Sequence, residues 1–254
     1  MSFIAAFVDS VNRSPSSRLS LAVLCAWTAL LAVLGYLVLV RPGYAYAAVY
    51  LNDVFGIIDG FYRMSIGQMP SIDFGSIYGA AMWYPGALAM RLGFDGAGAL
   101  NLMHLGTAAV FAVMASLICA RRFPLLPSVI FVGFVFSLVL APMRLGGWYW
   151  HITQAIFYTR FGWAALAIAL LLYIEPRSKD RNGAVIDTAV LACIMLYTFY
   201  LKITFGFVVI GFAVVNALTS RYNRRISLSA VGVFVLTILL IELVSGYNSE
   251  YFSD

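Results

Sequence analysis

Apolar residues in this chain come in long blocks, with polar residues confined to the gaps between them. Seven blocks, at residues 19–40, 96–120, 125–143, 156–174, 183–200, 203–219 and 226–244, are each long enough to cross a hydrocarbon core of about 30 Å as a helix. Strands that cross a membrane alternate in and out with a period of two, and no such alternation is present. Backbone groups in lipid must bond within their own segment, so spans of this length predict helices. The expected fold class is therefore all-α: a polytopic membrane helix bundle of about seven transmembrane helices, forming a single transmembrane domain over 1–254.

Two places in the pattern need a decision. Lys202 sits near the middle of an apolar run of about 35 residues, too long for one crossing of about 20, so a tight helical hairpin turning at Leu201-Lys202 is expected. Segment 76–92 is apolar but interrupted by Pro85, and its adjacent Trp83 and Tyr84 favour a membrane interface. It reads as an interfacial helix in the first outer loop.

Composition supports the bilayer as solvent. Hydrophobic residues are 63% of the 254 and charged residues 11%, where a soluble domain carries roughly 25% charged. Mean hydropathy is +0.92. The net charge of +5 is scattered over short connections and forms no continuous stripe, which argues against nucleic acid as a partner. Cys25, Cys119 and Cys193 fall inside apolar blocks without metal-binding spacing and read as buried thiols.

The basic residues order the topology. Arg13, Arg18, Arg121, Arg122, Arg177, Lys179, Arg181, Arg221, Arg224 and Arg225 fall on one side of a seven-span arrangement, in compact clusters, and the positive-inside rule makes that side cytoplasmic. Residues 1–18 are then a cytoplasmic N-terminus before a retained first span, without the cleavage site of a signal peptide. Residues 41–95 form a large outer loop, six further spans occupy 96–244, and 245–254 are an outer C-terminal tail. The expected location is the plasma (inner) membrane.

The outer loop carries the candidate chemistry. It contains Asp53, then Asp59-Gly60-Phe61-Tyr62-Arg63, then Gly67-Gln68-Met69-Pro70-Ser71-Ile72-Asp73-Phe74. An acidic residue after the first span followed by Gly-x-x-Pro-x-x-Asp-Phe resembles the multi-span glycosyltransferases of the GT-C fold, such as protein O-mannosyltransferases and lipid A aminoarabinose transferases. Asp53 stands at the first acidic position, Gly67, Pro70, Asp73 and Phe74 match the signature, and Arg63 is the basic residue before the glycine. The chain has Asp53-Val54 where those enzymes commonly show Asp-Glu, and Ser71 in place of a tyrosine. The recognisable resemblance covers about residues 19–122. Family members usually continue into more spans, so it implies that this chain is the N-terminal module of such an enzyme or a shortened form of it.

The resemblance implies transfer of a sugar from a polyprenyl-phosphate-linked donor to a hydroxyl acceptor at the outer face, among membrane lipids. A lipid phosphate leaves as an anion and needs no general acid, so one carboxylate to take the acceptor's proton and one or two cations are the minimal set. Asp53 is the candidate base, with an ordinary solvated loop acid as the alternative. Asp73 and Asp59 are candidates to orient the acceptor, or to hold a divalent metal, which the sequence does not require; both equally fit Asx turns. Lys202 at the hairpin tip and Arg160 at the outer end of the fourth span are candidate phosphate-binding cations, or side chains that snorkel to the headgroups. Arg63 is a further candidate on the substrate side. His151, in Gly146-Gly147-Trp148-Tyr149-Trp150-His151, could stack on a sugar or belong to an interfacial aromatic belt. His104, beside Asn101, reads as half of a hydrogen bond between helices. Asp187 and Glu242 read as hydrated boundary residues without a role.

Phosphate loops, dinucleotide fingerprints, zinc-protease motifs and nucleophile elbows are absent from the sequence, which excludes the common soluble nucleotide and hydrolase chemistries. A small-molecule or lipid transporter is the alternative from another class, weakened by the lack of inverted repeats and of mid-depth charge. A non-catalytic membrane subunit is a third reading.

Overall fold

Amide and carbonyl groups surrounded by apolar side chains have little to bond except one another, and here they do so as helices. A computed structural model describes residues 17–45, 47, 49–142, 153 and 156–253. In chain order the helices are α1 (Ser17–Gly35), α2 (Leu51–Ser65), α3 (Ala80–Arg91), α4 (Gly96–Arg122), α5 (Leu125–Leu140), α6 (Phe157–Leu171), α7 (Arg181–Leu201), α8 (Ile203–Thr219), α9 (Arg221–Ser245) and α10 (Tyr247–Ser253). A π-helical turn, Tyr36–Val40, continues α1. Among the described residues the only strand-like pairings are two isolated bridges.

Four helices are long and apolar enough to cross a membrane: Ser17–Val40, Gly96–Arg122, Arg181–Leu201 and Arg221–Ser245. α5, α6 and α8 are apolar but shorter, at 16, 15 and 17 residues. Each block expected as a span is thus occupied by a helix, with ends shifted by a few residues. Large apolar side chains also point outward, Leu243 at 83% and Val244 at 85% exposure. Such surface is tolerated only where lipid is the solvent, and the chain is an integral membrane protein.

The break predicted at Lys202 is present and is one residue long. Lys202 is extended (φ −161°, ψ 123°), and closes α7 by donating its N–H to the Thr198 carbonyl at 3.0 Å. Gly206 then lets α8 lie against α7: a β-carbon there would come within 2.7 Å of the Phe199 Cα. Small residues at helix contacts allow such close approach in membranes.

The outer loop holds more regular structure than the sequence reading gave it. α3 is a helix within the segment 76–92 where one was expected, but α2 was not anticipated. Its signal is in the sequence: Val54, Ile57, Phe61 and Met64 recur at helical spacing and are the buried face. The two helices pack through glycines, Gly60 against the Trp83 ring and Gly86 against the Phe61 ring. α2 ends in a Schellman turn, with Gly67 at φ 99°, its N–H donating to Met64 and that of Gln68 to Arg63. Gly79 then brings the following segment against the α7 end, where an added β-carbon would meet the Tyr200 carbonyl oxygen at 2.3 Å.

At the opposite end of the bundle, Asp187 overturns its expected reading as a hydrated boundary residue. Its side chain has no exposed surface and is shared by Arg121 Nη1 at 2.8 Å, Arg122 Nη2 at 2.8 Å and the Tyr222 hydroxyl at 2.8 Å. Arg122 also donates to the Ile174 carbonyl and Arg121 to the Gly183 carbonyl. α4, α7, α9 and the α6–α7 connection are thereby fastened at one point. Glu242, read as a hydrated boundary residue, is partly exposed, and it also accepts from the Asn248 and Ser249 N–H groups and seats the start of α10.

Two stability predictions follow from these contacts. Gly79→Ala should lower stability to thermal unfolding in detergent by about 1–3 kcal/mol through overpacking, whereas Gly75→Ala, where an added methyl meets nothing within 4 Å, should not. Asp187→Ala should cost about 3–5 kcal/mol because it strands a buried arginine. Asp187→Leu combined with Arg122→Met should recover part of that loss in the same melt.

Candidate functional site

Asp53 lies in the first turn of α2, where a helix dipole favours an acidic side chain. The turn into the helix is sharp, with Tyr50 held at φ 58°. Asp53 is exposed at the rim of a cavity of about 610 Å³. The remaining wall comes from Gly56 and Ile57 of α2, residues 75–78, Met82 and Trp83 of α3, and Ile156 and Tyr158 at the start of α6. Trp83 is fixed by donating its indole N–H to the Ser76 hydroxyl at 3.1 Å, and by edge contacts with the Phe61, Phe74 and Tyr78 rings.

Lys202, at the hairpin tip, packs against two aromatic residues of this cavity wall. Its ammonium stands 4.9 Å from the Tyr158 ring centre and 5.8 Å from that of Tyr78, and the two rings are themselves 4.7 Å apart. The half-buried cation is held by ring faces, and no described carboxylate forms an ion pair with it. The Tyr78 phenol is pushed above its ordinary value by burial, by its hydrogen bond and proximity to Tyr158, and by the Asp53 charge. It therefore stays protonated at neutral pH, as a hydroxyl beside an acid.

Tyr158 and Lys202 also close one end of a second groove, of about 600 Å³, between α6 and α8. Beyond them its wall is almost wholly apolar: Trp163, Leu166 and Leu170 on one side, Phe205, Val208 and Phe212 on the other. Gly162 permits the approach of the helices, since a β-carbon there would stand 2.6 Å from the Phe205 ring. An acid-rimmed aromatic cavity and an apolar groove thus share Tyr158, and Lys202, against the ring of that tyrosine, lines the groove.

The Gly-x-x-Pro-x-x-Asp-Phe segment shapes this cavity from outside. Asp73 accepts the Met69 N–H at 2.7 Å and closes the turn around Pro70, while Ser71, at φ 64°, donates its N–H to the Phe74 carbonyl. Phe74 then packs on Trp83. Asp59 and Arg63 pair with each other at 2.7 Å on the exposed side of α2, with the Arg63 guanidinium 5.7 Å from the Phe74 ring centre. These three charged residues occupy one surface cluster, while Asp53 lies at the cavity and Lys202 at the rings of its wall.

Arg160 is not at a headgroup boundary, as the sequence reading had it. It is 1% exposed and bonds through Nη2 to His104 Nε2 at 3.2 Å, while His104 Nδ1 meets the Leu100 carbonyl at 2.8 Å. An Nδ1–H tautomer satisfies both contacts, and His104 joins α4 to α6 as expected. Among the described residues Arg160 Nε and Nη1 have no hydrogen-bond partner. Asn101 bonds the Leu39 and Tyr44 carbonyls past the π-helical end of α1. His151 lies outside the described residues.

Tyr78, Trp83 and Tyr158 were not foreseen as site residues. Trp83 had a visible signal as an interfacial aromatic, but the meeting of Tyr78 with Tyr158 joins positions 80 apart and carries no local mark. Among the described residues no group of three or more His, Cys, Asp or Glu side chains is arranged to hold a metal ion.

No family model matches the chain, and neither a curated protein nor a solved structure does so.

Proposed function

We propose that this protein is a membrane glycosyltransferase of the GT-C type, moving a sugar from a polyprenyl-phosphate-linked donor to a hydroxyl acceptor. The observation that carries the reading is the shared wall between the two hollows. Asp53 opens on a cavity lined by Trp83, Tyr78 and Tyr158, and Tyr158 is shared with an apolar groove that Lys202 lines. A donor of this class has the same sequence of parts: a polar sugar, an anionic phosphate and a long apolar chain. In the proposed arrangement the sugar lies among the aromatic rings, the phosphate beside Lys202 and the chain along α6 and α8.

The chemistry then needs little else. The acceptor oxygen attacks the anomeric carbon as its bond to the phosphate oxygen breaks. Asp53 takes the hydroxyl proton, and the phosphate leaves with the bonding electrons, its charge offset by Lys202. The Tyr78 hydroxyl, neutral at working pH, is available to donate to a sugar or phosphate oxygen.

In this reading all seven apolar helices cross the plasma membrane, with the N-terminus cytoplasmic and the Asp53 cavity outside. The supporting observation is the separation of charge. Arg121, Arg122, Arg177 and the residues bonded to them gather at one end of the bundle, and Asp53 and Lys202 belong to the loops of the other.

The test is sugar release from a polyprenyl-phosphate donor by membranes carrying this chain. Asp53→Asn should reduce turnover by about 10²–10⁴-fold, the usual contribution of a general base. Lys202→Met should raise the donor KM and lower kcat, with partial rescue by Lys202→Arg. Equal turnover in the native chain and Asp53→Asn, at equal abundance, would remove Asp53 from the mechanism, and absence of turnover from the native chain would overturn the reading.

A further inference from the structure

A third hollow lies at the other end of the bundle, between α7 and α9, with a volume of about 690 Å³. Its two ends differ in chemistry. The outer rim carries Lys179, Arg181 and Arg225, all exposed, against one acid, Asp180. That acid is already engaged, facing Arg121 at 3.6 Å and accepting the Gly183 N–H at 2.9 Å. Lys179 is partly committed too, paired with Glu175 and standing 5.9 Å from the Tyr222 ring centre. Arg181 and Arg225 are without a bonding partner among the described residues, which leaves an excess of positive charge at the mouth.

Inward from the rim the character changes within two helical turns. Along α7 the wall runs from Arg181 through Val185 and Thr188 to Ala189, and along α9 from Tyr222 and Arg225 through Ser229 to Val233, so past the rim it is mostly apolar with two hydroxyls in it. From Arg181 to Ala189, and from Arg225 to Val233, each wall rises about 12 Å at 1.5 Å per residue. Val185 and Val233 are 61% and 46% exposed, so this part of the groove is open on its side to whatever surrounds the helices.

We propose that this groove holds an acidic phospholipid, with its headgroup phosphate between Arg181 and Arg225 and one acyl chain along the Val185–Val233 slot. Two features in register select that occupant: cations at headgroup depth and, inward of them, an apolar slot whose wall also carries the Thr188 and Ser229 hydroxyls. A zwitterionic lipid would bring its own cation to a rim already in positive excess. A free phosphate would leave the apolar slot unfilled. Basic pockets between helices at the cytoplasmic surface suit anionic lipids on the same grounds. The groove shares Tyr222 with the Asp187 network, so a bound lipid would brace the α7–α9 contact. The proposal rests on the chain's residence in a membrane and is independent of any transferase activity.

The experiment is native mass spectrometry of the detergent-purified full chain with dioleoyl phosphatidylglycerol or dioleoyl phosphatidylcholine, paired with thermal melting in each lipid. The expected result is retention of one phosphatidylglycerol and a higher melting midpoint, with at least fivefold less retention of phosphatidylcholine. Arg181→Gln with Arg225→Gln should reduce phosphatidylglycerol retention at least fivefold. Ala189→Phe, at an exposed position on the slot, should do the same with the rim intact. Lipid-free melting midpoints report whether each variant keeps the native fold. Equal retention of the two lipids, undiminished retention in both variants, or full displacement by millimolar inorganic phosphate would overturn the proposal.

Discussion

A lysine placed at the reversal between two apolar helices must find stabilisation where few groups can offer it, and the way Lys202 does so organises the outer half of this protein. The turn leaves its side chain free to reach outward. It settles on two tyrosine faces, one from the loop before α3 and one from the first turn of α6. A carboxylate would neutralise it; ring faces hold it in place while leaving its charge available. Three segments distant in sequence are thereby tied to one cation, and the cavity rimmed by Asp53 exists because they meet.

The opposite end solves the same problem by another means. Arg121 and Arg122 converge on Asp187, and Tyr222 completes the coordination of that carboxylate. Every member is spent on another member, which suits a fastening rather than a site: a buried pair contributes chiefly through the penalty for breaking it. Charge in this molecule thus includes neutralised clusters that hold helices together and unneutralised cations that face hollows. Lys202, Arg181 and Arg225 belong to the second kind, and they mark the places where a ligand would supply the missing anion.

The helices of the bundle were legible because the signal is one-dimensional: a long apolar block needs only local bonding to become a helix. The one-residue break at Lys202 was legible for the same reason, since a single apolar run exceeded one crossing. α2 was missed although Val54, Ile57, Phe61 and Met64 carry the helical period, because the closely grouped acids drew the eye from the buried face to the exposed one. Asp187 was misjudged because distance from a helix end says nothing about which side chains arrive from neighbouring helices. Arg160 failed similarly: its register on α6 turns it toward His104 in the core. Of the candidate site, Asp53 and Lys202 could be singled out by type and position, but their association depends on Gly79 approaching the Tyr200 carbonyl and on a Tyr78–Tyr158 contact.

The Gly-x-x-Pro-x-x-Asp-Phe segment shapes the cavity from outside it. Gly67 supplies the left-handed residue that ends α2, and Asp73 closes the turn that follows; Phe74 then leans on Trp83, the cavity's largest wall residue. With Asp73 and the Asp59–Arg63 pair engaged on the surface, the spacing of the motif is explained by the path the chain must take from α2 to α3. A substitution of Asp73 would therefore be felt at Trp83 through the turn and Phe74, which separates its effect from that of Asp53. The first would disturb the shape of the cavity, and the second would leave that shape intact and remove a carboxylate from its rim.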